Sequence, residues 1–457
     1  MPTRHLPNQL PKSEQSLVLI FGSRGGPVSR LLIYITLGAA AAFYLRFVTL
    51  ICRFLSLPFK SYKIPIRSVP MDFSQWGNPS KEWQSFATAN SVMLGISEDH
   101  LPPLTVQANA NKTRTTMSKH LFQSTGLSKL VATQDHVVPT RDGQSITVRS
   151  YRPVLLGSKS LPGYVYYHGG GFIFGALDSE LFNCSWLAHS LSITVVHVCY
   201  RHTPQVKGLT PWHDALDGFE WVATHTDALG IDASRIIVGG ISAGGSLTAH
   251  VVQTELRRAR ETGTLNRVKG QVLGIPTVVH WKVFPYHLFA DKEKTSLVQC
   301  KDAAILNQKR IELFSGLLGD ETDPSNLAWS PALADEKDLK GMPPTAFLVS
   351  GWDPLRDEAL WYATKLKNAG VRTNVHIFPG LPHAFHAFVQ LPSHKRWNEA
   401  MLGCLRWAAA DDNGWIIESP PVMPPFMESA AAATSSTDPV TAGASEVDTV
   451  VNAGNAL

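Results

Sequence analysis

The chain has 457 residues, 44% of them hydrophobic, which is enough to bury one large core with length left over. Its formal net charge is only +4, and the basic residues are scattered rather than striped, which argues against a nucleic-acid-binding surface. Five cysteines (Cys52, Cys184, Cys199, Cys300, Cys404) are odd in number, far apart and without a C-x-x-C pair, so they read as buried small apolar residues or free thiols rather than a disulfide framework or zinc site.

Residues 1–63 form an N-terminal segment of their own. After a polar, basic start (Arg4, Lys12, Arg24, Arg30), the run from Leu31 to Leu45 carries no charge. Arg46 interrupts it, and Phe47 to Cys52 is apolar again. A spanning helix needs about 20 predominantly apolar residues. Leu31 to Cys52 reaches that length if Arg46 snorkels toward a headgroup. The expectation is an N-terminal hydrophobic helix acting as a single-pass membrane anchor over residues 31–52. An interfacial or buried core helix would use the same stretch. A cleaved signal peptide fits less well, because the apolar run starts late and no small-x-small site follows it. Basic residues on both flanks leave the orientation open.

Residues 64–134 are harder to read. Trp76, Trp83, Phe86, Met93 and Leu94 suggest short helices packed on something larger. Pro102-Pro103 breaks the stretch, and Lys119 to Leu130 suggests another helical turn. Asn111-Lys112-Thr113 is a glycosylation sequon.

From residue 135 to 412 the pattern becomes regular. Ser145 to Tyr151 alternates as a half-exposed strand after a turn at Arg141-Asp142-Gly143. Strands are expected at Gly163–Tyr167, Ile193–Tyr200, Arg235–Gly239, Val268–Ile275, Ala346–Ser350 and Thr373–Phe378. Helices are expected at Asp178–Leu191, Ala215–Leu229, Ser246–Arg260, Ala303–Leu318, Pro354–Ala369 and Arg396–Ala409. Strands alternating with helices imply an α/β fold, a mostly parallel sheet covered on both faces, with an antiparallel hairpin first. From about Glu418 to Leu457 the chain is Pro, Ala, Ser and Thr with little apolar periodicity, and disorder is expected there.

In such folds chemistry gathers at the carboxyl ends of strands, and four features lie there. Gly240-Ile241-Ser242-Ala243-Gly244 fits G-x-S-x-G, in which a sharp strand-to-helix turn pushes a serine hydroxyl out of the sheet. The same pattern also describes a tight turn with a capping serine. His168-Gly169-Gly170-Gly171-Phe172 follows the Gly163–Tyr167 strand, and its glycines let backbone N–H groups converge on an anion or an oxyanion. A phosphate loop would need G-x-x-x-x-G-K-[ST], which is absent. Asp353 stands in the turn after Ala346–Ser350, where a carboxylate can orient an imidazole or cap the next helix. Asp357 and Glu358 read as first-turn acids suited to the helix dipole. His383 lies on a Gly/Pro loop just beyond the last strand, and His386 is its rival three residues later.

The order Ser…Asp…His is that of an α/β-hydrolase. With these motifs the chain resembles the hormone-sensitive-lipase-like family, which includes bacterial esterases, arylacetamide deacetylases and plant gibberellin receptors. Tyr200-Arg201, Asp232-Ala233-Ser234-Arg235, Ser330-Pro331 and Asp353-Pro354-Leu355-Arg356-Asp357-Glu358 support the likeness. The resemblance implies an α/β-hydrolase fold with a small helical cap formed by residues 64–134. It also implies Ser242 as nucleophile, Asp353 as acid and His383 as base. Oxyanion donors would be the N–H groups of Gly170, Gly171 and Ala243, with His168, Gly169, Gly240 and Gly244 structural. His383 is preferred to His386 because family members place Phe two residues after the base. Two departures stand out. His202-Thr203-Pro204-Gln205 replaces the usual Leu-Ala-Pro-Glu, so a charged contact would be missing. Ala384 replaces a glycine, which is tolerable if its φ is negative.

The function implied is a serine hydrolase acting on carboxylic esters of small or medium, apolar substrates, with a small-molecule ester as partner and no cofactor or metal. Acyl transfer or amide cleavage on the same triad is the alternative within enzymes. A small-ligand receptor on this scaffold is the alternative outside them, weakened because such receptors lose the base.

Overall fold

The computed structural model describes residues 70–91, 100–319 and 322–410, together with the backbone of two strands, Ser16–Ile20 and Leu32–Thr36. Residues 1–69 and 70–457 form separate units. In the first unit, Ser16–Ile20 pairs antiparallel with Leu32–Thr36. This corrects the expectation of a helix beginning at Leu31. Ile33, Tyr34, Ile35 and Thr36 are β-branched or aromatic, and the run Ser-Leu-Val-Leu-Ile offers them a partner strand. The rest of the anchor stretch, residues 37–52, lies outside the described residues, as does the tail from 418 to 457. Among the described residues no helix is long and apolar enough to cross a membrane.

The second unit is built on an eight-stranded sheet: β1 (Val131–Pro139), β2 (Ser145–Pro153), β3 (Leu161–Tyr167), β4 (Thr194–Cys199), β5 (Ile231–Ile241), β6 (Val268–Gly274), β7 (Thr345–Trp352) and β8 (Thr373–Pro382). The spatial order is β1-β2-β4-β3-β5-β6-β7-β8. The β1–β2 and β2–β4 pairs are antiparallel and every other pair is parallel. Strand β3 is buried along its whole length, as a central strand covered on both faces must be. Its alternate residues point to two different cores. Val165 and Tyr167 join one, and Tyr164 and Tyr166 join the other.

The helices, in chain order, are α1 (Lys81–Ala89), α2 (Pro103–Ser124), α3 (Leu181–Leu191), α4 (Thr210–Thr224), α5 (Ala243–Thr262), α6 (Gln308–Leu318), α7 (Arg356–Asn368) and α8 (Pro392–Ala409). Helices α4, α5 and α7 pack on the Val165 side, and α3 and α8 on the Tyr164 side.

Several helix boundaries differ from the periodicity, three of them at an identifiable residue. Pro102-Pro103 does not break the chain there but opens α2, with Pro103 in the first turn, where its missing N–H costs nothing. The stretch read as a helix from Ala303 starts only at Gln308, because the Asn307 side chain accepts the Arg310 N–H and caps it. Helix α4 starts five residues before Ala215, with Pro211 in its first turn, and yields at His225 to a separate single turn, Thr226–Leu229.

Helix α5 starts hard against the end of β3. A Cβ at Gly244 would lie 2.0 Å from the Tyr167 carbonyl oxygen and 2.7 Å from that of His168. Backbone atoms on both sides leave no cheap relaxation. Gly244→Ala is therefore expected to destabilise the fold by about 3 kcal/mol or more. Urea denaturation reads this directly, and an unchanged midpoint would mean that α5 and β3 can move apart.

Candidate active site

Ser242 sits between β5 and α5 with φ 55° and ψ −115°, a conformation rarely adopted by a residue with a Cβ. Backbone bonds hold it there. Its N–H donates to Gly274 O at 2.8 Å, and its carbonyl accepts from Gly245 at 2.9 Å and from Ser246 and Thr277 at 3.3 Å. The turn projects the hydroxyl toward His383, whose Nε2 lies 2.9 Å from Ser242 Oγ. On the other side of the ring, His383 Nδ1 lies 2.7 Å from Asp353 Oδ2. These three residues, expected from sequence, are thus brought into one hydrogen-bonded chain.

Asp353 is 1% exposed and serves two partners at once. Oδ2 faces the imidazole, and Oδ1 accepts the Leu355 N–H at 2.9 Å. It caps the turn, yet it is not the helix N-cap, because α7 begins only at Arg356. Asp357 and Glu358 are buried rather than displayed at a helix end. Asp357 pairs with the Arg356 guanidinium at 2.6 Å and accepts the Ser296 N–H at 2.7 Å. Glu358 accepts from Val278 and Val279, at 2.7 and 3.1 Å, and so pins the segment after β6 beside the site.

The rival histidine has no such arrangement. His386 stacks on Trp397 with centroids 4.2 Å apart, and its Nδ1 is buried with no partner among the described residues. Burial lowers its pKa to about 3, so it stays neutral.

The glycine loop lies at the end of β3. Gly170 and Gly171 adopt φ of 134° and 60°, which glycine takes without penalty, and Phe172 follows at 63°. The Gly170 carbonyl accepts from Ile173 and Phe174, closing a tight turn. His168 is fully buried and stacked on Tyr200, with ring centroids 4.4 Å apart. Burial first, and the neighbouring His202 second, push its pKa well down, so it remains uncharged.

Both departures noted in the sequence have structural consequences. Ala384 has φ 54°, so the condition for easy replacement of glycine is not met, and this residue carries left-handed strain. Gln205 holds no charge. Its amide pairs instead with that of Gln107 from α2.

These groups open on a cavity of about 260 Å³. The aromatics Phe172, Phe174 and Trp281 line it. Trp212 and Phe284 belong to the core instead. One wall comes from α2 (Arg114, Met117, Leu121) and another from the irregular segment after β6 (Ile311, Phe314, Trp329). Sequence reasoning missed Arg114, which pairs at 2.9 Å with the buried Glu180. No local motif marks either residue. Among the described residues, no cluster of His, Cys, Asp and Glu could hold a metal ion.

Comparison with known proteins fits this geometry. A family model described as an alpha/beta hydrolase fold matches residues 164–387. The chain is 30% identical to a versiconal hemiacetal acetate esterase of Dothistroma septosporum, over 60% of this chain and 81% of that protein. The chain belongs to the α/β-hydrolases. Within them it falls in the hormone-sensitive-lipase-like group. An ethyl acetate hydrolase of Pseudomonas putida is 33% identical over 55% of this chain and 74% of its own length. A solved esterase of Pyrobaculum calidifontis superposes with a TM-score of 0.61 at 29% identity, covering 73% of this chain and 99% of that one. With such relatives, this α/β-hydrolase is a carboxylic ester hydrolase.

Glu358 gives the site a pH-dependent support. Burial raises its pKa from 4.5 to about 8, against the pull of the two N–H donors. A raised folded-state pKa means the fold favours the protonated form. Its stabilisation is complete below 4.5 and lost as pH rises through about 8. Glu358→Gln, which keeps an acceptor for both N–H groups, should flatten the stability profile over that window. Urea denaturation of both proteins across the range measures it, and parallel profiles would contradict the assignment.

Proposed function

We propose that this hydrolase cleaves its esters through an acyl-enzyme on Ser242. The observation that carries the reading is the chain Ser242 Oγ–His383 Nε2–Asp353 Oδ2, with links of 2.9 and 2.7 Å, opening on the cavity. His383 Nε2 takes the hydroxyl proton as Oγ attacks the ester carbonyl carbon. The oxyanion forms against the N–H groups of Gly170, Gly171 and Ala243. The C–O bond to the alcohol breaks, and the leaving oxygen receives the proton from His383. Water then repeats the sequence on the acyl-enzyme and frees the acid. Asp353 fixes the tautomer that leaves Nε2 free to accept, and stabilises the transient imidazolium.

The walls limit the substrate. Phe172, Phe174, Ile311, Phe314 and Trp329 present apolar surface, and the small volume suits a short or medium apolar ester. Chemistry of this kind is what the names of the two curated relatives state for them, acetate esters in both cases.

Ser242→Ala should lower kcat on p-nitrophenyl butyrate by on the order of 10⁴-fold or more. Asp353→Asn should lower it by about 10⁴-fold, since the amide favours the wrong tautomer. Retained turnover in the first variant would overturn the assignment. Across p-nitrophenyl esters from acetate to palmitate, kcat/KM should peak at short or medium chains, and a maximum at palmitate would contradict the small apolar pocket.

A further inference from the structure

Helix α2 carries a polar stripe. Gln107, Asn111, Arg114 and Ser118 recur at intervals of four, three and four, so they share one face of the helix. Each of the four bonds to the backbone of the segment that begins with the glycine loop. Arg114 reaches the Gly169 carbonyl at 3.4 Å from both terminal nitrogens. Gln107 Nε2 donates to the Ile173 carbonyl at 2.7 Å and to that of Thr203 at 3.0 Å. Asn111 Oδ1 accepts the Gly175 N–H at 2.8 Å. Ser118 Oγ accepts the Phe182 N–H at 2.9 Å.

We propose that this face of α2 positions the oxyanion loop, with Gln107 and Asn111 as positioning residues for the reaction. The inference rests on the acyl-enzyme reading of the site. Its physical basis is that three consecutive glycines have an unusually large backbone entropy to lose. Oxyanion donors work only when already aimed, because an aligned donor needs no reorganisation as charge develops. Within the loop, the turn ties the Gly170 carbonyl, and His168 Nδ1 lies 3.1 Å from that of Gly169; Thr203 takes the Phe172 carbonyl through its N–H at 2.9 Å. Anchors on both sides of Gly170 and Gly171 come from α2, at Gly169 on one side and at Ile173 and Gly175 on the other. The Gly175 anchor also packs tightly, since a Cβ there would meet the His168 ring at 2.1 Å.

Asn111 gives the cleanest test. Truncating Arg114 would leave Glu180 buried without its ion pair, which destabilises the fold for reasons unrelated to the loop. Asn111→Leu removes the acceptor for Gly175, whereas Asn111→Asp keeps it. Both variants are compared with the unmodified full chain in kcat and KM for p-nitrophenyl butyrate. The inhibition constant of an alkyl trifluoromethyl ketone, whose serine adduct carries the oxyanion, is measured alongside. For Asn111→Leu, kcat should fall by about 10- to 100-fold with KM changed by less than about threefold. The ketone should weaken by a similar factor. Asn111→Asp should restore most of both. Gln107→Met should show the same pattern, because its donor to Ile173 is lost.

A lowered melting temperature with unchanged kcat would overturn the proposal, as that is what a merely structural contact predicts. A change confined to KM, or no recovery in Asn111→Asp, would do so as well. If the unmodified chain neither turns over esters nor binds the ketone, the acyl-enzyme reading fails in the native protein and this inference falls with it. Failure in the variants alone leaves that reading intact.

Discussion

The structure depends on one strained residue. Ser242 is held at φ 55°, a conformation that costs about 1–3 kcal/mol for a residue with a Cβ, and it persists because its surroundings over-determine it. Its N–H and carbonyl are bound by β6 and by the first turn of α5 and the segment beyond β6. The turn is sharp because α5 starts within van der Waals reach of β3, a distance that only glycine permits at position 244. The strain places the hydroxyl beyond the sheet edge, in line with His383 and Asp353.

The remaining parts can be ordered by their distance from that residue. Asp353 divides its oxygens between the imidazole and the Leu355 N–H, so one buried carboxylate sets both the histidine and the entry into α7. Further out, Glu358 secures the segment after β6, and the α2 stripe grips the glycine loop. Much of the cavity wall comes from α2 and the segment after β6, the parts of the chain with the least regular apolar pattern. Ser242, Asp353 and His383 stand at the ends of sheet strands, while much of the cavity wall is carried by elements added to the sheet.

Legibility in the sequence followed the same division. Strand β3 is a continuous, nearly all-apolar run because both faces are covered, and it is visible in the sequence within two residues. For helix α2 the sequence offers only a break at Pro102-Pro103 and a helical turn from Lys119, because its inward face carries Gln107, Asn111, Arg114 and Ser118, where amphipathic patterning would have apolar residues. A helix that docks through hydrogen bonds to backbone leaves no hydrophobic period, only a polar one that looks like solvent exposure. Leu32–Thr36 shows the opposite failure. Its hydropathy suggests a helix, although its β-branched residues pair with a strand twelve residues upstream in the chain.

By itself the sequence determined the fold class, the order of strands and helices, and which serine, carboxylate, imidazole and glycines stand at strand ends. It could do so because each of those features is local: a turn that admits only glycine, a residue type at the end of an apolar run. The tertiary structure alone decided the rest. It brought His383 rather than His386 within 2.9 Å of Ser242, and gave Ala384 its left-handed backbone. It also set Gln205, where the sequence already lacks a charge, in an amide pair with Gln107 of a helix nearly a hundred residues away. Those outcomes depend on which distant segments meet, and that is fixed by the packing of the whole chain.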